Sequence, residues 1–118
     1  MKTRPGKRTI ESRAEVFKAL SHPDRLRIVE ELSAGERCVC DLVATVRSAW
    51  STVSRHLAVL KQARVVSDEK RGLQVFYRLT LHCVPSFMTC LDAARQGEAV
   101  EMRRCCYPAT GPARRPAR

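Results

Sequence analysis

Aromatic residues make up only 5% of this 118-residue sequence. A core must then rest on Leu, Val and Ala, and the 44% hydrophobic content is enough for one small domain. No apolar run approaches the ~18 residues of a membrane-spanning helix. The basic first residues are followed by no apolar block, so neither a span nor a secretory leader is expected, and the expected compartment is the cytoplasm. The six cysteines, Cys38, Cys40, Cys83, Cys90, Cys105 and Cys106, include no C-x-x-C pair. That absence argues against zinc ribbons, zinc fingers and the dithiol redox motif. A reducing compartment keeps such cysteines as thiols. No Gly-rich loop beside a cysteine could cradle an oxyanion, and His22, His56 and His82 have no Cys or Asp partner in a triad pattern. An enzyme is therefore not expected.

The two ends lack acidic residues. Residues 1–8 carry Lys2, Arg4, Lys7 and Arg8, and residues 103–118 carry five arginines, so the ends hold nine of the ten net positive charges. Residues 9–102 hold 13 basic and 12 acidic side chains and are almost neutral. The organisation expected is a basic arm (1–8), one domain (9–102) and a basic, Cys-containing tail without regular structure (103–118). Within the domain, residues 42–67 contain Arg47, Arg55, Lys61 and Arg64 and no acid. A basic strip in a balanced domain suits a phosphate-facing surface.

Ile10, Ala14, Phe17 and Leu20 fall at helical spacing. "SHPDR" (21–25) breaks that helix, and Pro23 suits the first turn of the next. Leu26, Val29 and Leu32 carry a second helix to a stop at Gly35. The third is expected over Val39 to Val46 and the fourth over Trp50 to Ala63. Residues 65–80 change to an alternating period, a two-stranded hairpin turning at Gly72. Pro85 is expected to open a last helix reaching about Val100, with Phe87, Met88, Leu91 and Ala94 on one side. Two short helices followed by a hairpin is the order of a winged helix-turn-helix. The fold class expected is thus mainly α with a small β-hairpin, and the apolar last helix suggests a homodimer through terminal helices.

In "AWSTVSRHLAVLKQARVV" (49–66), Val53, Leu57 and Leu60 form an inward stripe at about 100° per residue. Ser51, Thr52, Arg55 and Gln62 point away, with Ser54 and His56 at the stripe's edges. Small hydroxyls, an amide and an arginine, with no acid, suit a DNA major groove.

"STVSRHLAVLKQARVV" followed by "RGLQVFYRLT" resembles the ArsR/SmtB family of bacterial metal-responsive repressors. "SHPDRLRIVEEL" resembles that family's entry into its second helix, and "CVCDL" (38–42) the pattern of its arsenic-sensing branch. The resemblance covers residues 14–80. It implies a homodimeric winged-helix repressor that binds double-stranded operator DNA and releases it when an inducer binds. By position, it implies that Ser51, Thr52, Ser54, Arg55 and His56 lie on the recognition helix, and Arg71, Gln74 and Arg78 on the wing. The family often carries Gln where this chain has Trp50. An indole there is expected to displace the usual base contacts and to pack against the turn.

The same resemblance makes Cys38 and Cys40 expected ligands of trivalent arsenic or antimony, soft ions that bind thiolates. On a regular helix, residues i and i+2 lie roughly 200° apart, so chelation would require the helix start to be frayed, or to unwind on binding. The arsenic branch commonly has a third Cys where this chain has Val43. Cys105 and Cys106 are the expected replacements, because the arginines of "RRCC" favour thiolate. Methylated trivalent arsenic needs only two thiols. Cys83 and Cys90 read as core residues. In this family zinc is held on the last helix by paired His and carboxylates, and no His follows His82. Cadmium or lead, or thiol-based redox or persulfide sensing, are the alternatives.

Overall fold

The computed structural model describes residues 7–97. Helices α1 (Lys7–Leu20) and α2 (Pro23–Ser33) precede a short strand β1 (Arg37–Cys38). Helices α3 (Val39–Val46) and α4 (Trp50–Gln62) follow, then strands β2 (Val66–Arg71) and β3 (Gln74–Leu79), then α5 (Cys83–Arg95). The chain divides into two compact units, one ending at Leu81 and one beginning at His82. No described helix is long and apolar enough to cross a membrane.

In the first unit, α3 packs on α2 and α4, and α4 packs on α1, α2 and β2. Ile28 and Val29 of α2, Leu42 of α3, Val53, Leu57 and Leu60 of α4, and Val65 are at most 1% exposed. These aliphatics are the core that the scarcity of aromatics required. The antiparallel sheet has the order β1-β3-β2, with Arg37 opposite Tyr77 and Cys38 opposite Phe76. β2 and β3 are the hairpin read from the sequence, with Gly72 at φ +63° in its turn. A two-residue loop in the left-handed region favours glycine because a Cβ there is strained.

His22 caps α2: its Nδ1 accepts the Asp24 N–H at 3.0 Å, and Pro23 takes the first turn, where no partner for its missing N–H is needed. The end of α4 is closed by a Schellman motif. The Val65 N–H donates to the Leu60 carbonyl and the Arg64 N–H to the Lys61 carbonyl, both at 2.9 Å. Arg64 sits at φ +65°, where glycine is the usual residue. Arg64→Gly is expected to stabilise the fold by about 1 kcal/mol. A rise in the denaturant midpoint at unchanged slope checks this; a fall would mean that the arginine's contacts outweigh its backbone strain.

Several boundaries differ from expectation. α1 begins at Lys7, so the last two residues of the basic arm are helical. β1 was not expected. α5 begins two residues before Pro85, which therefore sits in the first turn, and ends at Arg95 with Gly97 at φ +79° beyond it. Residues 98–118, which include the whole tail with Cys105 and Cys106, lie outside the described residues. In the second unit, Val84 is buried, while Phe87 is 39% and Leu91 50% exposed.

Candidate functional site

α4 presents the outward face expected of it. Ser51, Ser54, Arg55 and Gln62 are exposed and Thr52 is half-buried, while Val53, Leu57 and Leu60 face the core. His56 is a correction. This residue at the edge of the stripe is only 6% exposed and turns inward, so the expected DNA contact is not offered by it. The Arg25 Nε–H donates to His56 Nδ1 at 3.2 Å, and the Arg25 guanidinium also donates to the Ala19 carbonyl. His56 Nε2 lies 3.9 Å from Asp24 Oδ2, which also accepts from the Ser48 hydroxyl at 3.4 Å. The His22 ring lies 4.4 Å away, centroid to centroid. These groups fasten the start of α2 to the α3–α4 turn and to α4, fixing the angle at which α4 is presented.

His22, Asp24 and His56 offer atoms close enough for a metal ion. Their hydrogen bonds argue against that use. Both Nδ1 lone pairs already accept N–H donors, so each ring's proton sits on Nε2. Freeing Nε2 for a metal would move that proton to Nδ1, against a donor.

This joint makes the fold sensitive to acid. Burial first, then the charges of His22, Arg25 and Arg55, push the His56 imidazole below the ordinary value of 6.5, with only Asp24 opposing. The unfolded chain then binds the proton more readily than the folded one. Stability is complete above pH 6.5 and declines as pH falls below it. Melting temperatures at about pH 7.5 and about pH 5.5 are expected to differ more for the native protein than for His56→Gln. Equal differences would contradict this.

On the wing, Gln74 and Arg78 are exposed. Arg71 is exposed on the wing as well, and its guanidinium is engaged in ion pairs. Its guanidinium makes two bonds to Glu36, at 3.1 and 2.7 Å, and one to Glu69 at 2.9 Å, and lies over the Phe76 ring at 4.6 Å. The Arg71 hydrogen bond holds the Glu69 carboxyl below its usual range. Arg71 is thus committed to ion pairs that tie the wing to the segment just before β1. In the basic strip, Lys61 pairs with Asp68 at 3.1 Å, while Arg47 and Arg55 are exposed.

Cys38 and Cys40 converge. Cys38 ends β1 with extended backbone (φ −83°, ψ 163°) and is the N-cap of α3, while Cys40 lies in that helix's first turn. Their sulfurs are bonded to one another as a disulfide. Of the two expected routes, a frayed helix start and unwinding on binding, the structure has a non-helical Cys38 at the helix start: the change from strand to helix there removes the roughly 200° separation that a continuous helix would impose. Cys38 is buried and Cys40 exposed, and the Asp41 carboxylate lies close enough to share an ion with both sulfurs. Val43 stands in the following turn and offers no ligand atom.

Trp50 also departs from expectation. It is 55% exposed rather than packed against the turn, and it lines an open cleft with Cys38 and Cys40 on one side and Leu73, Gln74, Val75 and Tyr77 of the wing on the other. No composition or periodicity signal pointed to this cleft, because its walls come from three separate segments, 38–40, 50–54 and 73–77.

Comparison with known proteins places these features among transcription regulators. Residues 22–68 match the model described as "Bacterial regulatory protein, arsR family". A repressor of Mycobacterium tuberculosis, SmtB, is 38% identical over 95 residues, covering 80% of this chain and 69% of the relative. The arsenical resistance operon repressor of Escherichia coli is 44% identical over 69 residues, covering 58% of this chain and 59% of the relative. A homodimeric winged helix-turn-helix DNA-binding domain of Mycobacterium bovis superposes with a TM-score of 0.67 at 24% identity, covering 81% of this chain and 91% of that one, and has the same fold.

Proposed function

The chain belongs to the ArsR family of bacterial regulatory proteins, and on that premise we propose that it is a homodimeric repressor that leaves its operator when trivalent arsenic or antimony binds Cys38 and Cys40. Proteins of this family are regulators that bind DNA, not enzymes. Ser51, Thr52, Ser54 and Arg55 of α4 read the operator, and Gln74 and Arg78 of the wing support it. The exposed Leu91 on α5 suits a helix that pairs with a second copy.

The observation that carries this reading is the convergence of the two sulfurs at the first turn of α3, the helix packed on α4. Soft thiolates select thiophilic ions, and the N-terminus of a helix favours negative charge. The location supplies the coupling. Cys38 pairs with Phe76 of β3, and Cys40 lies in the first turn of α3, the helix packed on α4. An ion held by both bridges the wing strand to the helix-turn-helix and alters the angle between them. Arg71–Glu36 crosses the same junction. With Val43 in place of a third thiol, the third position falls to Asp41 or to Cys105 or Cys106 of the tail. Titrating the reduced, operator-bound protein with arsenite, antimonite, methylarsenite, cadmium, lead and zinc tests the reading. Release by the arsenic and antimony compounds at the lowest concentrations supports it; release by cadmium, lead or zinc ahead of them overturns it.

The Cys38–Cys40 disulfide favours one second reading, a repressor controlled by oxidation. There peroxide would join the two thiols and leave as two waters. Peroxide that leaves operator binding unchanged rules this out.

A further inference from the structure

Two features of the thiol site are not explained by an inorganic ion. The described residues supply two sulfurs rather than three. Cys38 and Cys40 also line a cleft of about 480 Å³, far more room than one ion needs. Trp50, Leu73, Val75 and Tyr77 give it apolar walls. Leu73 is fully exposed at the wing tip and Trp50 more than half exposed. Large apolar side chains left in water are a cost that a bound apolar group would remove.

We propose that the site accepts a trivalent arsenical bearing one aromatic substituent, with the arsenic on Cys38 and Cys40 and the ring in the cleft between Trp50 and the wing. This rests on the reading of the pair as the inducer site and names the class of inducer. A mono-organic arsenical has one valence taken by carbon, so two thiols complete it and Val43 leaves nothing missing. In the step, two As–O bonds of the arsonous acid break, two As–S bonds form, and the thiol protons leave with the hydroxyls as two waters. Arsenic stays trivalent. A dithiol must first open the Cys38–Cys40 disulfide, its own sulfurs closing into a disulfide. The ring can stack on the indole, as aromatic pairs favour. Ser54 of α4 and Gln74 of the wing line the same cleft, so the substituent wedges between the two elements that hold the operator.

The test is a competition on the dithiol-reduced full chain, mixing phenylarsonous and methylarsonous acids in equal excess and reading adducts by intact mass. Adducts persisting in Cys38→Ser/Cys40→Ser belong to other cysteines and are subtracted. The phenyl-to-methyl ratio is expected to exceed that of the urea-unfolded chain by about tenfold. It is expected to fall toward the unfolded ratio in Trp50→Ala and in Leu73→Ser, the latter at a position too exposed to affect folding. Equal ratios in folded and unfolded chains, or ratios unmoved by both substitutions, overturn the aromatic cleft and leave the thiol site standing. Undiminished adducts in the double serine variant overturn the thiol site and the cleft together.

Discussion

Replacing Cys38 and Cys40 together by serine is expected to leave the operator complex intact and to remove its response to arsenite. Losing a partner that merely orients a metal ligand costs 10–100-fold in affinity as an order of magnitude. Losing both sulfur ligands costs more, so about 100-fold or more arsenite should be needed for release. The substitutions are mild for the fold. Cys38 is the N-cap of α3 and makes no side-chain capping bond, and serine is among the best N-caps. Cys40 is exposed. Fluorescence anisotropy of labelled operator DNA reads both quantities. If the double variant still releases at the native arsenite concentration while Cys105→Ser/Cys106→Ser does not, the sensing thiols are those of the tail.

Arg55→Ala is expected to weaken operator binding by about 1–3 kcal/mol. Arg55 is exposed in the middle of α4's outward face and is engaged by no described carboxylate, so its donors are available to a base edge or a phosphate. If it reads a base, the loss concentrates on one operator position. If it holds a phosphate, affinity falls evenly across sequences and the salt dependence drops by about one ion. Arg71→Ala should cost the operator less, because that guanidinium is already bonded to Glu36 and Glu69. A large effect at Arg71 with less than about twofold at Arg55 would reverse the roles, and would mean that Arg71 exchanges its carboxylates for phosphate on binding.

The elements behind these predictions differ in how far sequence alone revealed them. α4 and the hairpin were legible because Val53, Leu57 and Leu60 recur at a helical period and residues 74–79 alternate. These periods are local, and burial enforces them. β1 was not legible. It has two residues, and what makes it a strand is its pairing with Tyr77 and Phe76 about 40 residues away. The geometry of the thiol pair was legible only as two alternatives, a frayed helix start or unwinding on binding, because β1 decides between them. A helix start at Val39 leaves Cys38 outside the helix, and the strand ending there turns Cys38 back beside Cys40. His56 lies at the edge of the α4 stripe, where a helical wheel cannot distinguish inward from outward. Arg25 and Asp24, contributed by another helix, decide it. Arg71 looks like a free wing cation until Glu36, 35 residues earlier, is placed beside it. Trp50 stood out as a departure from the family's usual glutamine, but only the wing folded over it shows what it faces.

The central claim is that arsenic is held by sulfur at the junction of β1 and α3. X-ray absorption at the arsenic edge on the reduced, arsenite-loaded protein measures this directly. The account predicts sulfur neighbours to arsenic in the native protein and their loss in Cys38→Ser/Cys40→Ser. An unchanged sulfur shell in that variant would place arsenic on Cys83, Cys90, Cys105 or Cys106 and contradict the account.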